Sequence, residues 1–447
     1  MERKKRTAFS LIILVTLVAG IFSTHGSSMA WWSGPGTANT HHRLGEGAVA
    51  GIPQDEYPDI TTSFGEDIIG WSSNVTDDQR AHANQGGRMD GPVEYWWKLA
   101  LSQYGVFQFA GSGDPLSSPK PGAYYYLALI VHLTEDMGVP AHAYNIPHSA
   151  STEGADNMEQ LANFSYREAA PVITVQDTGK DPLLSYRLSR ERTLSATGAS
   201  SWRIYYNNDG TCGMRYGLAE GHYGEFCGAE DIFPLSWEDT TPTEREVISS
   251  LLGASGGYAG GVLTAASRSL PPLVRDLTIG TGSAPVIDPD RGTTISFTIL
   301  ENRSQVVYVT IMALGEDGGG EYIITTRNQP DDQAGPTYPD QAGLTHHDQA
   351  GPVHPDRAEL APWDNKEVVL SRTGSPGNRQ LPWEKRIILT GWKGTSVQGQ
   401  LTEGLYTLKI LVEDQDDNEV NEVYPEINAD STPGNDTQAQ FRIGRND

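Results

Sequence analysis

The chain has 447 residues, a net charge of −25 and two cysteines. Its length predicts two domains. The acidic balance argues against binding a polyanion through the bulk electrostatic field, although bound metal ions can create a local cationic site.

Residues 1–30 have the pattern of a secretory signal peptide. Residues 3–6 are basic, residues 8–22 form an apolar core, and a small-x-small cleavage motif ends at Ala30. The core is short for a membrane span, so an uncleaved anchor is the less favoured alternative. Cleavage predicts a secreted protein, extracellular or periplasmic, with Trp31 at its new N-terminus.

Residues 31–275 are predicted to form a helical domain. Amphipathic patterns predict helices over 92–106, from Pro121 into His132, over 153–164, and from 243 to the proline pair at 271–272. The last of these has a hydroxyl at Thr243 and a carboxylate at Glu246, the spacing of a capping box. Its body contains several glycines.

Over residues 283–447 the apolar residues recur with a period of two. This part of the chain is predicted to form an all-β, sandwich-like domain. The strands are predicted over 294–300, 306–311, 321–324, 386–389 and 405–411, separated by Gly, Asp and Pro turns. Several short strands at this spacing are typical of a β-sandwich.

An insertion at 328–360 contains an internal repeat. The tetrapeptide Asp-Gln-Ala-Gly begins at Asp332 and recurs at Asp340 and Asp348. The unit is polar and rich in Pro and Gly, so it is predicted to be a disordered loop. The acidic run 413–417 could bind Ca²⁺, although solubility explains it better.

The two cysteines, Cys212 and Cys227, are predicted to form one disulfide, since the protein is expected in an oxidising compartment. Two thiolate metal ligands are the alternative, but the chain has no Cys-x-x-Cys pair.

The stretch from His132 to His142 has the spacing of a metal site. His132 and Asp136 are four residues apart and share one face of a helix, while His142 follows Pro140, where the chain leaves that helix. Imidazole and carboxylate are common zinc ligands, and such a set leaves coordination positions for water and substrate.

Further candidate ligands lie on both sides of this stretch. They are His41 or His42 near the new N-terminus, Asp59 in Tyr57-Pro-Asp59, His82, and the pair Asp156 and Glu159 on one helical face.

In this order and spacing the set resembles the zinc-dependent phospholipase C and P1 nuclease superfamily, over about residues 31–275. Those enzymes are secreted and mostly helical, and their mature chain begins with a zinc-binding tryptophan. Trp31 with His41, and Tyr57-Pro-Asp59, are similar to the clostridial alpha-toxin type. The resemblance implies an all-α hydrolase domain of this kind before the β domain.

The resemblance implies two or three zinc ions. One would be held by Asp59, His82, His132 and Asp136; a second by His142, Asp156 and Glu159; a third by the amine and carbonyl of Trp31, His41 and a bridging Asp136.

The chain departs from the family pattern at two places. Ala155 stands where the family has a histidine, so Asp156 is assigned that role, with His148 as the alternative. The segment from Trp31 to Asp59 is also shorter than in the family, which leaves the choice between His41 and His42 open.

The resulting hypothesis is a phospholipase C-like hydrolase in which metal-activated water cleaves a phospholipid headgroup, with Asp59 as catalytic carboxylate. The β domain of such an enzyme could contact a membrane peripherally. One rival is a P1-like single-strand nuclease or 3′-nucleotidase, which the acidic charge disfavours. The other is a non-catalytic surface protein that retains a structural metal.

Overall fold

The structure is a computed structural model of the chain. The structure describes residues 40–74, 91–104, 122–139, 142–143, 161–162, 165, 170–201, 203–206, 226–230, 237–280, 285–315, 320–327, 360–373, 381–416, 418–420 and 440–444. The predicted signal peptide at 1–30 and residues 328–359 of the repeat insertion lie outside these residues. The chain divides into two units, one of residues 1–269 with 375–380 and one of residues 270–374 with 381–447.

The first unit is mainly helical. Its helices are α1 (Thr40–Ala50), α2 (Gly65–Asn74), α3 (Gly91–Gln103), α4 (Ala123–Asp136), α5 (Pro182–Ser201) and α6 (Pro242–Ser269). A π-helical turn covers Asp59–Ser63, and a 3-10 turn covers Trp237–Asp239. The helix predicted over 153–164 lies mostly outside the described residues, with helical backbone at 161–162.

Two sequence predictions for this unit need correction. The unit is not all-α, because β1 (Arg203–Tyr206) and β2 (Phe226–Glu230) form an antiparallel pair. Strand β1 reads Arg-Ile-Tyr-Tyr, a composition that favours a pleated strand over a helix.

The capping box of α6 lies two residues earlier than predicted. The Thr241 N–H donates to Glu244 Oε2 at 2.6 Å, and the Glu244 N–H donates to Thr241 Oγ1 at 3.3 Å. Pro242 then occupies the first helical position, where a missing N–H costs nothing. The interpretation of Thr243 as the cap was therefore wrong.

The glycines of α6 make room for an extended segment of chain. Five of them lie so close to residues 172–176 that an added Cβ would overlap the backbone carbonyls or side chains there. They are Gly253, Gly256, Gly257, Gly260 and Gly261. The segment is also held by a hydrogen bond from the Gln176 N–H to the Gly257 carbonyl at 3.0 Å. The glycines thus allow the segment to lie directly on the helix backbone.

The second unit is built of antiparallel sheets. Its strands are β3 (Leu273–Ile279), β4 (Val286–Ile287), β5 (Thr293–Glu301), β6 (Val306–Gly315), β7 (Glu321–Ile323), β8 (Thr325–Arg327), β9 (Leu360–Pro362), β10 (Lys366–Val369), β11 (Ser371–Arg372), β12 (Trp383–Trp392), β13 (Thr395–Ser396), β14 (Gly399–Gln400), β15 (Gly404–Glu413), β16 (Glu419–Val420) and β17 (Gln440–Ile443). It begins at residue 270, earlier than the predicted boundary, because α6 ends at Ser269 and β3 follows.

Two larger sheets share one apolar core. One has the strand order β10-β6-β15-β17-β4, with β7 on β6 and β16 on β15; the other has the order β11-β12-β5-β3. Alternate side chains of both, such as Phe297, Ile311 and Ile410, are buried in this core. Only the β17–β4 pair is parallel among the described pairs.

The repeat insertion lies between two strands that pair with each other. Strand β8 ends at Arg327, opposite Leu360 at the start of β9. The two ends of the insertion are therefore held side by side by the sheet.

The packing of α6 predicts opposite effects for two glycine substitutions. Gly257→Ala would push a methyl group onto the Thr174 carbonyl, whereas Gly70→Ala on α2 meets nothing within 4 Å. We expect the first to lower the free energy of unfolding by about 1–3 kcal/mol. The second should raise it by about 0.5–1 kcal/mol. Denaturant unfolding followed by far-ultraviolet circular dichroism measures both, and equal effects would contradict this packing.

Candidate metal centre

Helix α4 is the most buried helix of the first unit and ends in charged groups. All but one of its residues are buried, and it packs against α2, α3, α5 and α6. A helix that is apolar on all sides belongs in the interior. His132, Glu135 and Asp136 in its last turns are nevertheless fully buried. Burying such groups is costly unless each has a compensating partner.

Two histidines from different helices face the two oxygens of Asp136. His132 Nε2 lies 3.4 Å from Asp136 Oδ2, as its position one turn earlier on α4 predicts. His41 Nε2, on α1, lies 3.3 Å from Asp136 Oδ1. Ligand atoms of the three residues all lie within 4.8 Å of one another. This group, His41, His132 and Asp136, is the candidate metal centre.

The other nitrogen of each imidazole contacts an acceptor. His132 Nδ1 lies 3.0 Å from the backbone carbonyl of Ser72, and His41 Nδ1 lies 2.7 Å from Glu135 Oε2. A carbonyl oxygen can only accept, so His132 Nδ1 carries a hydrogen. In the neutral rings the lone pairs are then on the Nε2 atoms, which face Asp136. Fixing one nitrogen so that the other can bind a metal is the usual arrangement of ligating histidines.

The distances fit ligands of a shared ion better than direct hydrogen bonds. Charge-assisted N–H···O bonds are about 2.7–2.9 Å long, as is the His41–Glu135 contact. Tetrahedral sites with bonds of about 2.0–2.1 Å hold neighbouring ligand atoms about 3.3–3.4 Å apart, the spacing from both Nε2 atoms to Asp136. The ring centroids are 4.2 Å apart, so protonating both histidines would place two like charges in contact.

The pKa values of the buried acids and of His41 are shifted by their mutual charges and by burial. Burial raises the pKa of Asp136, but the charges of the surrounding histidines, His132 foremost, outweigh it and hold that pKa far below its usual range. Burial lowers the pKa of His41, but the Asp136 and Glu135 carboxylates raise it to about 10. Burial raises the pKa of Glu135 to about 7 despite His41. The two buried carboxylates are thus stabilised by the positive charge of the imidazoles around them.

His142 does not belong to the group of three. Its charge is nevertheless among the causes that lower the pKa of Asp136. The neighbouring Ala143 carbonyl accepts a hydrogen bond from Arg190 Nε on α5 at 2.9 Å. The part of the chain described does not include Trp31, His82, His148, Asp156 and Glu159, whose roles stay predictions.

Asp59 is fully buried at the start of the π-helical turn but does not belong to the group of three. Ser267 Oγ donates to its two oxygens at 2.9 and 3.0 Å, and the Tyr124 hydroxyl donates to Oδ2 at 2.9 Å. These donors come from α6 and α4 and fix the carboxylate. The structure thus gives Asp59 hydroxyl partners, and its predicted roles as zinc ligand and catalytic group stay predictions.

The carboxylates of the acidic run in the second unit accept hydrogen bonds from nearby groups of the protein. Asp414 accepts from the backbone N–H groups of Asp416 and Asn418 at 2.7 and 2.9 Å. Asp416 accepts from Arg303 Nε at 2.6 Å. These contacts account for both carboxylates, and among the described residues no metal-ligand group forms here. The suggested Ca²⁺ site gains no support.

Sequence reasoning missed Glu135. The spacing rule selected His132 and Asp136 because residues four apart share a helix face. Glu135 points to another face of α4 and reaches His41, ninety-four positions away in sequence. The only local indication of a role for Glu135 was its place in an acidic pair at the end of an otherwise apolar helix.

Cys227 lies in β2, while Cys212 is outside the described residues, so the disulfide stays a prediction. In the described part of the chain no helix has the length and apolar character needed to cross a membrane. Comparison with protein-family models, curated proteins and solved structures found no match to this chain.

The geometry predicts which of two adjacent histidines binds metal. His41 is fully buried against Asp136, whereas His42 contacts Glu46 on the outer side of α1 at 3.3 Å. We expect His41→Ala to lower the metal content by about one equivalent, or to lower the affinity for the metal severely, because a ligand is lost. His42→Ala is the matched control and should leave the metal content unchanged. Metal analysis after dialysis measures both, and the reverse pattern would contradict the assignment.

Proposed function

We propose that the first unit is a zinc-dependent phosphodiester hydrolase of the phospholipase C type. One observation carries the proposal: two buried imidazoles, each fixed through Nδ1, direct Nε2 at opposite oxygens of one buried carboxylate. Such an arrangement suits metal binding and is expensive to bury otherwise. The donor set of nitrogen and carboxylate oxygen without thiolate suits a catalytic zinc site.

The two oxygens of Asp136 face different histidines, since Oδ1 faces His41 and Oδ2 faces His132. In the proposal Asp136 would therefore be the residue that the ligand sets of the zinc sites have in common. In the proposal Trp31, His82, Asp156 or His148, and Glu159 complete the two or three zinc sites together with His142 and Asp59.

The chemistry follows from charge. When bound, zinc ions supply positive charge that offsets the charge of a phosphodiester transition state and makes water a stronger acid. The chain holds Asp136 and both imidazoles buried and already facing one another, so little rearrangement is needed to bind the metal. Asp59 is the proposed proton acceptor, since its carboxylate is oriented by the hydroxyls of Ser267 and Tyr124.

The substrate proposed is a phospholipid. The net charge of −25 disfavours a nucleic acid, whose binding proteins are usually basic. We further propose secretion after cleavage near Ala30, and a β-sandwich architecture for the second unit, whose two sheets share a core. That unit would make any peripheral contact with membranes.

The proposal predicts metal-dependent turnover that Asp136→Asn abolishes. Asparagine keeps the shape of the side chain but loses the charge that holds the ions, so zinc content and turnover should fall together, by at least about 100-fold in turnover. Phosphatidylcholine and single-stranded DNA are the two substrates to assay. Asp55→Asn, an exposed carboxylate in the turn after α1, is the matched control.

Turnover of phosphatidylcholine that is lost with the metal would support the proposal. Preference for single-stranded DNA would instead favour the nuclease alternative. Stoichiometric zinc without turnover of either substrate would favour the non-catalytic surface protein and contradict an enzymatic role.

A further inference from the structure

Two consecutive acids of α4 contact the two nitrogens of the same imidazole. Glu135 Oε2 lies 2.7 Å from His41 Nδ1, and Asp136 Oδ1 lies 3.3 Å from His41 Nε2. All three side chains are fully buried. Adjacent residues on a helix point about 100° apart, so this contact requires the ring of His41 to enter between the two carboxylates.

The two histidines of the centre therefore differ in their outer partners. The Nδ1–H of His132 meets a neutral backbone carbonyl of Ser72, whereas that of His41 meets a carboxylate. A carboxylate partner fixes the tautomer and ring orientation and makes the ligating nitrogen a stronger donor. The short 2.7 Å contact is in the range of charge-assisted hydrogen bonds.

We propose that Glu135 is a positioning residue for the metal centre: it holds His41 with Nε2 directed at the ion and strengthens its bond to that ion. The proposal rests on the metal centre of the proposed function and adds to it a residue that does not itself bind metal. His41 comes from a separate helix, α1, and its hydrogen bond to Glu135 joins that helix to the end of α4.

The test is zinc affinity of the full chain, measured by competition with a chelator, for Glu135→Gln and Glu135→Ala. Glutamine keeps an oxygen that can accept from His41 Nδ1 but loses the charge, and alanine loses both. We expect a fall of about 10–100-fold for Glu135→Gln and a larger fall for Glu135→Ala, with unchanged zinc stoichiometry at saturation. The visible spectrum of the Co²⁺-substituted protein should shift in the same order.

A double-mutant cycle separates positioning from general structure. Glu135 acts through His41, so Glu135→Gln should have no further effect on zinc affinity in a His41→Ala background. Circular dichroism of the metal-free variants establishes that they fold, and Asp55→Asn again serves as the control outside the site.

Several results would overturn the proposal. They are unchanged affinity in Glu135→Gln, an equal loss in the His41→Ala background, or the loss of a whole zinc equivalent at saturation, which would make Glu135 a ligand. If His41→Ala and Asp136→Asn weaken zinc binding while Glu135→Gln does not, only the role of Glu135 fails. If the parent chain binds no zinc, the metal centre fails with it.

Discussion

The contact on which the first unit depends is the one between the Asp136 carboxylate and the two imidazoles that face it. Two acids and two histidines lie fully buried around the end of a helix whose other residues are almost all apolar or aromatic. Such a cluster is stable only if positive charge compensates the carboxylates. The spacing of the Nε2 atoms and the placement of both Nδ1 atoms on acceptors suit a metal ion in that role.

The surrounding helices are arranged around this charge cluster. Helix α2 supplies the Ser72 carbonyl to His132, and α1 supplies His41 to Glu135 and Asp136. The glycines of α6 let residues 172–176 lie directly on its backbone, and an added Cβ at Gly138, just after α4, would lie 2.7 Å from Ser255 Cβ. The helices of this unit thus pack with their backbones close together.

Local patterns predicted much of the fold. The change from helices to antiparallel sheets and the shared face of His132 and Asp136 follow from periodicity, which is a property of neighbouring residues. Pairings between distant segments carry no such pattern. The contact of Glu135 with His41 and the bonds from Ser267 and Tyr124 to Asp59 therefore could not be derived. The glycines of α6 are unfavourable for a helix by propensity, and their role depends on the distant segment 172–176 that packs on them.

The most direct test of the account is anomalous X-ray scattering from crystals of the zinc-loaded protein, measured on both sides of the zinc edge. The account predicts a strong peak within bonding distance, about 2.0–2.2 Å, of His41 Nε2 or His132 Nε2 and of an Asp136 oxygen. Zinc-loaded crystals with no anomalous peak at these atoms, and with both imidazoles hydrogen-bonded directly to Asp136, would contradict it.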